Sequence, residues 1–302
     1  MKKSSSLTVS FLILLIFIYF LYEYRVFSNL EQIVSNLDPL LLFISLLLYV
    51  STYFFRAKRF TVMFPQISTK DLTAVMAVHT FFNNVFPFRS GEASFPIILK
   101  KFFGVELSIS SGALLFARLL DLISLSFLFL ISSLVVASHE RKLLLIPLVS
   151  ILAVTLVLVL ALKLLKMLRN RFFVIGALFY FFNQFVSTRK LSLIALYSLL
   201  TWLFKFSSFY FILRAAGVNL NFFQTVFVST FGEITTVLPV HSIGGFGTYE
   251  AGLVGGFKLL GVKTSYALTV AFYFHVILLV MSGLLALAGW VYLQFRLKRV
   301  YR

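Results

Sequence analysis

The chain has 302 residues, 60% of them apolar, with a mean hydropathy of +1.00 and a formal net charge of +17. Soluble domains are about 45–50% apolar, so a soluble globular protein is excluded. The absence of cysteine excludes a disulfide framework, a thiolate nucleophile and a Cys-ligated zinc site.

Several apolar runs approach or exceed the roughly 18–20 residues that cross a bilayer as a helix. Lipid cannot satisfy open strand edges, and no ten-residue alternating segments occur, so the expected fold is an all-α polytopic membrane protein. The first run, residues 7–22, follows Met1-Lys2-Lys3 and resembles a signal peptide. Its flank, Tyr22-Glu23-Tyr24-Arg25, offers no small-residue cleavage site, and it reads as a retained first helix. Further full spans are predicted at about 39–55, 108–137, 143–165, 191–213 and 265–293, making six. The stretch 172–186 is short and flanked by Arg169, Arg171, Arg189 and Lys190, which predicts an interfacial amphipathic helix. The alternative, a crossing at 172–186, inverts everything after it. Two segments, about 72–104 and 222–261, are apolar but broken by proline, glycine and charge.

The charges test this layout through the positive-inside rule. With a cytoplasmic N-terminus and each broken segment entering and leaving on one side, 18 of the 27 basic residues fall on the cytoplasmic side, at 2–3, 56–59, 70, 100–101, 163–171, 189–190 and 296–302. Six fall outside, and Arg89, Arg118 and Lys205 lie in the membrane. The bias gives an N-in/C-in topology. It explains the net charge by orientation and by attraction to anionic headgroups at the cytoplasmic face, with no nucleic-acid partner.

The two broken segments read as an internal repeat. Each has an apolar half-helix, a proline (Pro87 or Pro239), a glycine-bearing turn, a Glu-Ala pair (Glu92-Ala93 or Glu250-Ala251), a second apolar stretch and a Gly-Val (Gly104 or Gly261). The turns carry Gly91 in the first copy and Gly244, Gly245 and Gly247 in the second, where glycine permits positive φ. Three predicted spans separate the copies, and an odd number inverts the second. The expected organisation is a single integral membrane domain. A first repeat, 1–140, carries a re-entrant hairpin at about 72–104, and an inverted second repeat, 141–302, carries one at about 222–261. Broken helices in inverted repeats are a transporter signature.

Ionised groups at the bilayer centre cost about 2.5–3.5 kcal/mol each on insertion scales, so they face the interior and find partners. Arg118 and Asp121 share a helix face at i, i+3. They form either a self-neutralising structural pair, or an arginine that binds a lipid phosphate through its planar fork while Asp121 holds it. Arg89 either binds an anionic headgroup or anchors its hairpin. Glu92 and Glu250, related by the repeat, either cap half-helices or have a functional role, binding a cationic headgroup or coupling transport to protons. Lys205 is the expected partner of Glu233, as a packing pair or part of a substrate path. His241, in the second turn, is placed to titrate near neutral pH or to act as a hydrogen-bonding filler; His275 reads as structural.

At these residues the chain resembles a known family. The Pro87-Phe88-Arg89-Ser90-Gly91-Glu92 hairpin, the Arg118-Leu119-Leu120-Asp121 motif and the run Gly244-Gly245-Phe246-Gly247-Thr248-Tyr249-Glu250 look like the flippase-like membrane domain of lysylphosphatidylglycerol synthases. The resemblance covers nearly the whole chain and implies lipid translocation across the cytoplasmic membrane of a prokaryote. In the full synthases an aminoacyl-transferase domain follows this region. The chain here ends at Lys298-Arg299-Val300-Tyr301-Arg302, so a stand-alone member without lysyl transfer is expected.

The resulting expectation is a transporter that flips a polar-headed phospho- or glycolipid through a cavity between two hairpins, its tails left in the bilayer. Arg118 and Arg89 hold a phosphate, and Glu92, Asp121 and Glu250 set charge selectivity or couple protons. No HExxH, Walker loop or nucleophile elbow occurs, so no catalytic residue, metal or cofactor is expected. The alternatives are an intramembrane lipid-modifying enzyme, a non-catalytic partner of a separate lipid synthase and a coupled solute transporter. A homo-oligomer is open as well.

Overall fold

A computed structural model describes residues 3–139, 145–149, 152, 163, 173–185, 188–237 and 242–300. The helices run α1 (Lys3–Glu23), α2 (Val26–Ser35), α3 (Pro39–Met63), α4 (Thr69–Val85), α5 (Ser94–Phe103), α6 (Leu107–His139), α7 (Phe173–Phe185), α8 (Arg189–Ala215), α9 (Phe222–Val237), α10 (Thr248–Leu259) and α11 (Thr264–Val300). Short 3₁₀ segments, Pro87–Ala93 and Ile243–Gly245, join α4 to α5 and α9 to α10. No strand occurs among the described residues.

Four helices, α3, α6, α8 and α11, are long and apolar enough to cross a bilayer; α1 and α2 pass the same test only as a pair bent by 70°. The bend falls at Arg25, in the left-handed region at φ 49. The predicted spans at 7–22, 39–55, 108–137, 191–213 and 265–293 each coincide with one of these elements, and the one at 143–165 lies largely outside the described residues.

Large apolar side chains sit outside in helical stripes. On α3 the stripe is Leu40, Phe43, Leu47, Val50 and Phe54; on α11 it is Val280, Leu284, Leu287, Val291 and Phe295. Hydroxyls turn inward and bond to their own helix, as Thr201 does to the Tyr197 carbonyl and Thr230 to that of Val226. A soluble core reverses this arrangement; hydrocarbon surroundings favour it, because every polar group must then be satisfied within the protein. The chain is a multi-pass membrane protein.

The residues cluster into two compact units, one comprising 1–49, 80–92 and 205–284, the other 50–79, 93–204 and 285–302. The first has an aromatic core in which the Phe209 and Phe274 ring centroids lie 4.8 Å apart and Tyr249 stacks on Phe274. Within it α9 and α10 form a close hairpin. A Cβ added at Gly252 falls 2.5 Å from the Phe231 carbonyl oxygen, and one at Gly256 falls 2.9 Å from Val228 Cα. Small residues let two helical backbones approach this closely. Gly252→Val is therefore expected to cost about 1–3 kcal/mol through overpacking, read as a lowered unfolding temperature in detergent; an unchanged temperature would mean that the hairpin is looser than described.

The second unit packs Phe60 on Phe95 at 4.6 Å, with Phe181 against Phe64, Phe116 and Phe185. Helix α7, the element expected at the interface, buries Ile175, Leu178, Phe181 and Phe185 and exposes Tyr180 and Phe182.

Candidate functional site

In the second unit the charge cluster forms on α6. Its Arg118 and Asp121 share a face, but the main partner of Asp121 comes from α3. Arg59 grips the carboxylate at two points, Nη1 to Oδ1 at 2.5 Å and Nη2 to Oδ2 at 3.3 Å. Arg59 Nη1 also donates to Ser198 Oγ on α8, at 2.8 Å. Arg59 is 2% exposed and Asp121 7%, and a two-point fork is the geometry that holds a buried guanidinium to a carboxylate. The Arg118 side chain keeps 31% of its surface exposed and reaches only 3.8 Å from Asp121 Oδ2.

The sequence placed Arg59 in a cytoplasmic basic flank. It is buried because α3 runs on to Met63, eight residues past the predicted end at 55, and carries Arg59 inward on the stripe of Thr52 and Met63. Arg56, one turn earlier, acts electrostatically on both Arg59 and Asp121. Three cations thus share one carboxylate, with Arg59 buried and Arg56 and Arg118 both half-buried. Such an excess suits an anion.

The first unit holds a second set of buried charges. Lys205 Nζ lies 2.7 Å from Glu233 Oε2, the pairing expected from the sequence, and the Tyr249 hydroxyl donates to Glu233 Oε1 at 3.3 Å. Glu250 is fully buried. It sits in the first turn of α10, where Oε2 accepts the Gly247 N–H at 2.7 Å and Oε1 lies 2.7 Å from His275 Nδ1. A carboxylate at this position satisfies an amide left over at the helix start and complements the helix dipole. The rings of Tyr249 and Phe246 lie 4.7 Å and 5.0 Å from the His275 ring and hold it in place.

The turn before α10 is a true break. Gly244, Gly245 and Gly247 have φ of 63, 74 and 84, a region that side chains avoid. Pro239 and His241 lie outside the described residues. The first broken segment has the same helix, 3₁₀, helix order. Pro87 opens its 3₁₀ turn, Gly91 packs directly on the backbone of Phe82 and Asn83, and Arg89 and Glu92 are half-buried on that turn. Arg89 has φ 56, a conformation that a non-glycine residue holds only when its surroundings fix it.

A third cluster ties helix ends in the second unit. Asp71 Oδ1 lies 2.8 Å from Arg296 Nε and accepts from the Tyr292 hydroxyl at 3.2 Å. Among the described residues no group of three or more His, Asp or Glu is placed to hold a metal ion.

The residues that sequence reasoning missed are Arg59, Ser198 and Tyr249, together with the role of His275 as a partner. The inward stripe of Thr52, Arg59 and Met63 at helical spacing was the available signal for Arg59.

No curated protein and no solved structure gives a significant match to the chain. The family model described as the lysylphosphatidylglycerol synthase TM region matches residues 7–286, which takes in every cluster described above except Tyr292 and Arg296. The chain belongs to the lysylphosphatidylglycerol synthase transmembrane family, as a multi-pass membrane protein with a lipid-related role.

Proposed function

We propose that the protein is a flippase that moves a polar-headed phospho- or glycolipid between leaflets. The observation that carries this reading is the uneven cluster on α6. Three guanidinium groups, Arg59, Arg56 and Arg118, act on the single carboxylate of Asp121, and the Arg118 side chain is 31% exposed, so the cluster carries excess positive charge that a phosphate can reach at Arg118. In this reading Arg118 contacts the headgroup, while Arg59 and Asp121 position it. Glu250 serves as a helix cap tied to His275, and Lys205 with Glu233 keeps α8 and α9 together.

The two broken segments act as re-entrant hairpins of an inverted repeat. Their shared order supports this: α4, a 3₁₀ turn and α5 before the long α6, then α9, a 3₁₀ turn and α10 before the long α11. Broken helices of this kind let non-helical backbone and charge reach membrane depth inside protein.

The test is translocation by purified protein in proteoliposomes, with fluorescent lipids bearing anionic, zwitterionic and aminoacylated headgroups. Headgroup-selective transport above that of protein-free vesicles is expected. Rates equal to those of protein-free vesicles for every lipid would contradict the proposal.

A further inference from the structure

The first unit contains a pocket that shares no residue with the charge clusters. Its volume is ≈ 380 Å³, and it is lined by Asn29, Gln32 and Ile33 of α2, Asn36 at the C-cap of α2, Ala216 and Gly217 after α8, and Ser265, Tyr266 and Thr269 of α11. Small-ligand sites run at about 300–1,000 Å³.

Its depth follows from the helices around it. Helix α8 ends at Ala215, α11 begins at Thr264 and α3 begins at Pro39; the Asp38 N–H donates to the Ala215 carbonyl at 3.1 Å and ties two of these ends together. The pocket therefore lies where membrane spans finish, at headgroup level. Helix α2 has the matching character. Val26 and Ile33 are buried, Phe27 and Val34 are exposed on another side at the same seven-residue spacing, and Asn29, Gln32 and Asn36 recur at i, i+3 and i+7 on a third. A helix with an exposed apolar side and a polar side lies along the membrane surface.

The chemistry of the lining is specific. Three carboxamides, a phenol and two aliphatic hydroxyls line it, and no charged side chain does. Neither the Gln32 amide nor the Tyr266 hydroxyl has a hydrogen-bond partner among the described residues, whereas the Asn36 amide already donates to the Gln32 carbonyl at 2.8 Å. Carboxamides and hydroxyls both donate and accept, as sugar hydroxyls do, and the face of a tyrosine ring suits the apolar side of a sugar ring. A phosphate finds no cation here and an ammonium group no carboxylate, so an ionised headgroup would lose hydration without compensation.

We infer that this pocket binds an uncharged polyhydroxyl group, the sugar of a neutral glycolipid or a free saccharide. The site needs no transport to be occupied. It adds a second, uncharged recognition element to the phosphate chemistry proposed for Arg118.

Binding, rather than translocation, is the test, so failure of the flippase reading leaves its outcome readable. Wild-type protein in phosphatidylcholine nanodiscs is titrated with short-chain glucosyl-diacylglycerol, free maltose and short-chain phosphatidylglycerol. The titrations are repeated with Gln32→Ala/Asn36→Ala, whose parent side chains are exposed, and with Tyr266→Phe. Saturable glycolipid binding that weakens at least about tenfold in the double variant is expected, with phosphatidylglycerol, whose phosphate is assigned to Arg118, bound equally by wild type and both variants. Maltose binding as tightly as the glycolipid would support the site with a soluble saccharide as its ligand. No saturable binding of glycolipid or maltose, or affinities unchanged in both variants, would overturn the inference.

Discussion

Asp121→Ala is expected to destabilise the protein by about 3–5 kcal/mol, the usual cost of removing one partner of a buried ion pair. The substitution leaves the Arg59 guanidinium, 2% exposed, with no carboxylate against it among the described residues and with Ser198 Oγ and the Ala117 carbonyl as its remaining acceptors there. Thermal unfolding in detergent would show it as a large drop in midpoint and a loss of folded yield. The same measurement on Arg118→Ala is expected to show a much smaller change, because that side chain is 31% exposed and 3.8 Å from Asp121. Equal losses in the two variants would mean that Arg118 is as structural as Arg59, and the division of labour on α6 would fail.

The second large effect is expected at Lys205. Lys205→Ala strands the Glu233 carboxylate, which is 6% exposed and among the described residues then keeps the Tyr249 hydroxyl, 3.3 Å away, as its hydrogen-bond partner. The expected cost is again about 3–5 kcal/mol. Removing both charges together, as Lys205→Met with Glu233→Gln, is expected to recover most of that loss, because a buried pair repays little more than its own desolvation. The double-mutant cycle completed with Lys205→Met and Glu233→Gln singly measures the coupling directly. A double variant no more stable than Lys205→Ala would show that the carboxylate is needed for more than balancing the lysine.

The long helices were legible because α3, α6, α8 and α11 are continuous apolar runs, and hydrocarbon leaves such runs few alternatives. The break before α10 was legible for a local reason: Gly244, Gly245 and Gly247 cluster in a few residues, and all three take positive φ. Lys205 and Glu233 could be paired from sequence because Lys205 is the one charge in the apolar middle of α8 and Glu233 the one charge in α9.

Arg59 was not legible. It stands in a basic run at the end of an apolar segment, the pattern of an orientation signal, and its partner lies 62 positions away on another helix. Local spacing instead pointed to Arg118 as the partner of Asp121. The link from Glu250 to His275 spans 25 positions and was hidden in the same way. Sequence periodicity reports which face a residue shares; it does not report which distant helix meets that face. The α2 pocket was missed for a related reason, since Asn29, Gln32 and Asn36 look like ordinary surface amides until the ends of α8 and α11 are set beside them.

The most direct measurement is the transport rate of Arg118→Ala in proteoliposomes, on the lipid that wild-type protein moves best. Loss of a charge-assisted hydrogen bond is worth about 1.5–3 kcal/mol, so transport about ten- to a hundredfold slower is expected, by protein that inserts and unfolds like wild type. Transport at the wild-type rate would contradict the assignment of the headgroup to Arg118.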